Sequence, residues 1–349
     1  MLFWLGVALL CSMPVLLFLA LVFLHIYIRV RYLHFLVRIF QEKPLFIVPR
    51  GQPMADAEEV RFPTSDGLML SGCYHRAAGP RRGVILFGLE FGSDCWACRS
   101  YCEHLVEKGF DVFAFESRNQ GSSDSMPGYE PLQWVTTYEV RDVEAALAYL
   151  KSRPDADPRG IGFFGISKGG SAGVLAAARD AFVRCFVTDG IFATHTTMLP
   201  YMRKWIGIYI DRKWIQTLVP DCIYSIFARG CLRRMRRERG VRFPHLEHVV
   251  GLLAPRPLLM IHGGADTYIK PEMARALFEL AGEPREFWLV EGAKHNQALQ
   301  VANGEYQRRL LTFFQQHLAA DAASEATATS AQATVAPLPG MGSELAAQA

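Results

Sequence analysis

The stretch Ile161-Gly162-Phe163-Phe164-Gly165-Ile166-Ser167-Lys168-Gly169-Gly170 places a serine between two glycines, in the pattern G-x-S-x-G, where an apolar run meets a small-residue run. A serine hydroxyl is a weak nucleophile at neutral pH. It attacks a carbonyl only when a neighbouring base takes its proton and a third group orients that base. Downstream, PLLMIHGGADTYIKP carries Asp266 and EFWLVEGAKHNQAL carries His295, each just past an apolar run. In the order Ser, Asp, His, these residue types suit an acyl-transfer relay: Ser167 attacks, His295 accepts and returns the proton, and Asp266 fixes the imidazole. Singly, a loop Asp is most often a turn residue and a loop His a solvated one. Their joint placement, each one strand further along the chain, carries the reading.

Competing patterns fail on context. Gly160-Ile161-Gly162-Phe163-Phe164-Gly165 matches the dinucleotide fingerprint G-x-G-x-x-G, but its two phenylalanines continue a strand and do not open a helix around a pyrophosphate. Asp189, ending FVRCFVTD, is an alternative orienting acid whose ordinary role would be a loop or cap hydrogen bond. Cys95, Cys98 and Cys102 form a C-x-x-C-x-x-x-C run that could suggest metal or redox chemistry. No further Cys or His cluster at zinc-like spacing follows it, so the run is assigned to helix packing, and no metal or cofactor is expected.

Positioning such side chains requires a rigid frame. GVILFG, DVFAFES, IGFFGIS, FVRCFVTD, PLLMIHG and EFWLVEG read as short buried strands. Helices are expected between them, from about Trp96 to Lys108, along VTTYEVRDVEAALAYLKSR, through Ala178, over Met273–Leu280 and over Tyr306–His317. EEVRFPTSDGLMLSGCYHRA alternates around Asp66-Gly67, a hairpin signal. Apolar strands alternating with amphipathic helices predict a mostly parallel sheet covered on both faces, with ligands at the C-terminal strand ends.

At 349 residues, 50% hydrophobic and 20% charged, the chain supports one catalytic domain with appendages. A net charge of +3 gives no argument for nucleic acid. Residues Met1 to Ile28 lack Asp, Glu, Lys and Arg, and as a helix would extend roughly 42 Å. That exceeds a hydrocarbon core of roughly 30 Å, so an uncleaved single-pass anchor is expected. Arg29, Arg31 and Arg38 follow it, which puts the catalytic domain on the cytoplasmic side. Residues Tyr32 to Phe40 are expected at the membrane interface, 29–57 as a basic juxtamembrane segment and linker, 58–318 as the catalytic domain, and 319–349 as a disordered tail. The insertion 193–254 interrupts the strand-helix rhythm. Trp205, Tyr209 and Trp214 stand there beside basic residues, a composition suited to a membrane interface, although its Arg233, Arg234, Arg236, Arg237 and Arg239 would equally suit a solvated helix.

From Glu58 to Leu318 the chain resembles an α/β-hydrolase, similar to the esterases and serine-peptidase-like hydrolases of that superfamily. ESRNQGSSD resembles their D-x-R-G-x-G-x-S segment, and DPRGIGFFGISKGG their approach to the nucleophile turn. The resemblance implies this fold with a helical cap over the pocket, and hydrolysis of an ester, thioester or amide, on a small-molecule acyl substrate that could be lipid-like. It also implies two backbone N–H donors for the oxyanion, assigned here to Phe91 and Lys168. One departure stands out: Leu89-Glu90 replace the usual His-Gly before Phe91. That departure motivates an alternative, a membrane-tethered binding protein that keeps the fold without turnover; acyl transfer to an acceptor other than water is a third reading.

Overall fold

The central apolar runs become strands because their branched and aromatic side chains are buried on both faces of one sheet, whereas the last, at the sheet edge, is only partly covered. The computed structural model describes residues 2–42, 48–209 and 220–319. In chain order the elements are α1 (Leu2–Gln41), β1 (Ala57–Pro63), β2 (Met69–His75), β3 (Gly83–Gly88), α2 (Cys98–Glu107), β4 (Phe110–Phe115), α3 (Thr137–Ser152), β5 (Ile161–Ile166) and α4 (Ser167–Ala177). They continue with β6 (Val183–Asp189), α5 (Thr194–Tyr209), α6 (Asp221–Arg239), β7 (Leu258–Gly263), α7 (Pro271–Phe278), β8 (Arg285–Val290) and α8 (Ala298–His317).

The eight strands form one sheet in the order β1-β2-β4-β3-β5-β6-β7-β8. The β1-β2 hairpin is antiparallel and joins β4 antiparallel, whereas every pairing from β4 to β8 is parallel. Two buried clusters cover the sheet. One holds Val143, Ala146 and Leu150 of α3, Ala172 and Val174 of α4 and Leu277 of α7; the other holds Cys98, Cys102 and Leu105 of α2 with Tyr306, Leu310 and Phe314 of α8. Thr136 and Glu139 form a capping box at the start of α3, and Gly240, left-handed at φ 63°, ends α6.

The segment that resembles D-x-R-G-x-G-x-S works as a clamp. Arg118 is fully buried and holds Asp142 with its Nε at 2.9 Å and Asp66 with Nη1 at 2.7 Å, so that α3, the hairpin turn and the loop after β4 meet at one guanidinium.

The apolar run ends at Ile28, yet α1 continues without a break to Gln41. Its residues Ser12–Gln41 include a window of mean hydropathy 2.2 in which no residue is buried. Beyond that window, Leu33, Leu36, Val37 and Phe40 recur at helical spacing and are buried in a third cluster, with Trp134 and with Met198, Tyr201, Phe227 and Cys231 of α5 and α6. The Tyr32–Phe40 stretch, expected at the membrane interface, thus lays one face against protein. The reason is a second apolar stripe that the basic residues around it obscure. Phe40 is the end of that dock: its ring lies 6.1 Å from Trp134 and 6.0 Å from Tyr201, and its carbonyl accepts the Trp134 indole N–H at 2.8 Å. Trp214, part of the linker (43–47) and the tail from 320 onward lie outside the described residues, as do the side chains of Trp205 and Tyr209.

Phe40→Ala should remove about 3–5 kcal/mol of packing from this cluster. Hydrogen exchange on detergent-solubilised protein should show α5 and α6 losing protection while the sheet keeps it; uniform loss across both would contradict a separate docking cluster.

Candidate active site

The tight turn between β5 and α4 lifts one side chain off the sheet edge. Ser167 sits at φ +48°, a left-handed conformation that strains any residue with a Cβ by about 1–3 kcal/mol. Neighbouring glycines permit the turn. A Cβ at Gly165 would lie 2.5 Å from the Gly170 Cα, and one at Gly169 would lie 2.1 Å from the Leu89 carbonyl oxygen. Both contacts are with backbone, which cannot swing aside. Ser171, one turn into α4, donates its hydroxyl to the Phe192 carbonyl at 3.0 Å and accepts the Phe192 N–H at 3.1 Å, tying the helix to the loop after β6.

Three side chains from loops far apart in the chain meet here. The Ser167 Oγ lies 2.9 Å from His295 Nε2, and His295 Nδ1 lies 2.6 Å from Asp266 Oδ2. Asp266 stands in the loop after β7, its other oxygen accepting the backbone N–H of Tyr268 at 2.7 Å and of Ile269 at 2.9 Å. Those bonds leave Oδ2 facing the imidazole. Because an ionised carboxylate only accepts, the imidazole proton belongs on Nδ1, and Nε2 is left to accept the serine proton. Tyr268 packs its ring 5.1 Å from His295, and Tyr201 of α5 packs edge-on to Tyr268 at 5.6 Å. Ser167 and Asp266 are buried, at 4% and 3% exposure, whereas His295 is half-buried.

Asp189, the alternative acid, is elsewhere engaged: it is buried and accepts the Tyr306 hydroxyl at 2.9 Å. Burial pushes its pKa up to about 7, although the Tyr306 hydrogen bond and the nearby His295 work in the opposite direction. Glu90 stands in the loop after β3, directly before Phe91. It is 4% exposed and turned inward, accepting Asn296 Nδ2 at 2.5 Å and the Tyr101 hydroxyl at 3.3 Å. Burial also raises its pKa, against the pull of Asn296, His295 and Tyr101. The departure at Leu89-Glu90 therefore has a structural role: Glu90 ties the loop after β3 to the residue that follows His295.

Phe91 and Lys168 lie on opposite sides of the groove between that loop and the nucleophile turn, with Lys168 Nζ 5.0 Å from the Phe91 ring. Gly92, at φ +82°, donates its N–H to Gln120 Oε1 at 3.0 Å, and Ser93 donates its hydroxyl to the Pro49 carbonyl at 2.9 Å, which holds the loop from outside. The Lys168 side chain is buried, donating to the Leu132 carbonyl at 2.6 Å and to Glu139 at 2.8 Å. Burial pushes the Glu139 carboxyl up, but Lys168, Tyr129 and Thr136 outweigh it and bring the net pKa below the ordinary value. Sequence reasoning missed Glu139, Asn296, Tyr268 and Tyr306. Glu139 alone left a trace, the T-x-x-E spacing of a capping box; the others depend on long-range contacts that no local pattern reports.

Residues 77–307 match the Alpha/beta hydrolase family, and the chain belongs to that family. It is 24% identical over 267 residues to YfhR of Escherichia coli (strain K12), an uncharacterised protein, an alignment covering 74% of this chain and 80% of YfhR. It is 32% identical over 278 residues to the acyltransferase drtE of Aspergillus calidoustus, covering 68% of this chain and 87% of that one. Its fold is similar to that of the Pyrococcus furiosus esterase Pf2001, with a TM-score of 0.57 at 20% identity, over 78% of this chain and 99% of the esterase.

The raised pKa of Asp189 sets a pH dependence. Between its ordinary 3.8 and about 7 the native state keeps a proton that the unfolded chain has released, so stability falls as pH rises through that window. Asp189→Asn should flatten this fall, read as urea midpoints across the same range. An unchanged slope would mean that Asp189 ionises in the native protein as it does in the unfolded one.

Proposed function

We propose that the protein is a membrane-anchored serine hydrolase that cleaves a carboxylic ester, thioester or amide through an acyl-enzyme, with Ser167 as nucleophile, His295 as general base and acid, and Asp266 as the group that orients His295. The observation that carries this reading is the pair of contacts at 2.9 Å and 2.6 Å linking hydroxyl, imidazole and carboxylate. His295 Nε2 takes the Ser167 proton as Oγ bonds to the carbonyl carbon, then returns it to the leaving group; water repeats the sequence to release the acid. Asp266 stays ionised and stabilises the imidazolium. The backbone N–H groups of Phe91 and Lys168 receive the developing oxyanion, each worth about 2.7–4 kcal/mol of barrier lowering in sites of this kind.

The anchor is α1, which up to Ile28 carries no Asp, Glu, Lys or Arg, with Arg29, Arg31 and Arg38 holding the catalytic domain on the cytoplasmic side. The His25 ring lies 5.1 Å from Phe227 of α6, so the cap starts at the level where the span ends, and α6 exposes Ile223 and Ile226 there. A lipid-like acyl group delivered from the bilayer fits this placement. Acyl transfer is a second reading, favoured by the burial of Ser167, which shields an acyl-enzyme from water, and by the name of the relative drtE.

A fluorophosphonate probe applied to membranes should label the wild-type protein at Ser167 and fail on Ser167→Ala. Folded wild type that resists the probe would refute the enzyme and favour the binding-protein alternative. Asp266→Asn should lower kcat by about 10⁴-fold, because the wrong tautomer is presented to the serine. Across esters of increasing acyl length, kcat/KM should rise with chain length; a preference for short chains would remove the lipid assignment, and product analysis with added alcohol or thiol acceptors separates hydrolysis from transfer.

A further inference from the structure

The C-x-x-C-x-x-x-C run has no partner downstream, but the fold supplies one from upstream. Cys73 and His75 stand two residues apart on β2, so their side chains leave the same face of the sheet, and that face is covered by the turn and helix that carry Cys95, Cys98 and Cys102. The Cys73 sulfur lies 3.3 Å from His75 Nε2, and with the Cys98 sulfur these donor atoms all fall within 4.8 Å of one another. The Cys73 thiol also donates to the Cys95 carbonyl at 3.3 Å. Four of the seven free cysteines among the described residues are gathered here.

Packing alone does not account for this group. A buried thiol is an acceptable small hydrophobe, but an imidazole is not. His75 is 5% exposed and points Nε2 at sulfur, in a core where aliphatic side chains would fill the space without a polar atom.

We propose that Cys73, His75 and Cys98, joined by the neighbouring Cys95 thiol turned toward them, form a tetrahedral site for a thiophilic cation, Zn²⁺. Bonds of about 2.3 Å to sulfur and about 2.0–2.1 Å to nitrogen place tetrahedral donors roughly 3.5–3.8 Å apart, which Cys73 and His75 nearly meet at 3.3 Å and which Cys98 and Cys95 reach by side-chain rotation. Binding takes the lone pair of neutral His75 and displaces one proton from each thiol to solvent, leaving a site of net charge −1. A cavity of about 40 Å³ lined by His75, Cys98 and Cys102 leads to the cluster, its lining carrying both signs of charge, Arg76 and Arg99 beside Asp56 and Glu103. The ion would bolt β2 to the segment between β3 and α2. That segment is the continuation of the loop that contains Glu90 and Phe91, so the site braces that loop from behind, more than one side chain away from Ser167.

The test uses the full chain, purified in detergent with reductant, stripped by chelator and titrated with Co²⁺ as a spectroscopic stand-in. One equivalent should bind with intense thiolate-to-cobalt charge-transfer absorption and tetrahedral d–d bands, both erased by stoichiometric Zn²⁺. Cys98→Ser and His75→Gln should weaken binding at least tenfold and alter those bands, whereas Cys185→Ala, a buried cysteine elsewhere, should leave them intact. Zn²⁺ should also raise the Tm of the wild type and not that of His75→Gln. Folded, reduced wild type that gives no thiolate charge-transfer, or bands that survive both Cys73→Ser and Cys98→Ser, would overturn the site. Because these readouts are spectroscopic and thermal, they stand apart from any result on hydrolysis.

Discussion

Everything at the site depends on how closely α4 approaches the two strands beneath it. The helix begins directly at the nucleophile turn, and its first residues touch the backbone of β5 and of the loop after β3 with no side chain between them; even Gly173, a turn and a half along, would press a Cβ to within 1.8 Å of the Phe163 ring. Glycine at these positions lets the helix sit low, and the low seat forces Ser167 into its left-handed conformation. The strain of that conformation is offset by the contacts on either side, including the Ser171 bonds to Phe192. A hydroxyl held this way has little conformational freedom left.

The remaining polar groups keep the loops around that hydroxyl in register. Glu90 links the loop after β3 to Asn296, Lys168 links the nucleophile turn to the start of α3, and Arg118 links α3 to the hairpin. Each is a buried charge with hydrogen-bond partners on a different element, and removing one partner would leave the other uncompensated in a low-dielectric interior. Such links fix geometry more than they add stability. Asp189 and Tyr306 extend the network below the sheet edge, where a carboxyl that holds its proton to about pH 7 can sit near Asp266 and Glu90 without full charge repulsion.

Above the site, the cap is joined to the N-terminal helix through aromatic contacts. Phe40, Tyr201, Tyr268 and His295 follow one another at ring separations of 6.0, 5.6 and 5.1 Å. The end of α1 is therefore part of the lid's own core.

What was legible in the residues was local. A six-residue apolar run bounded by glycine or a turn has one way to be buried, so the strands, their alternation with amphipathic helices and the G-x-S-x-G turn followed from short-range pattern, and the succession Ser167, Asp266, His295 from their places after β5, β7 and β8. What tertiary structure decided were relations across the chain: that Asp266 and not Asp189 reaches the imidazole, that Glu90 turns inward, that the helix beyond Ile28 lays a stripe of Leu33, Leu36, Val37 and Phe40 on the cap, and that Cys73 and His75 come to face Cys98. The physical reason is the same in each case. A backbone conformation is selected by neighbours within a few residues, whereas the partner of a buried polar or aromatic side chain is chosen by which strands lie side by side, and strand order is a property of the folded sheet alone.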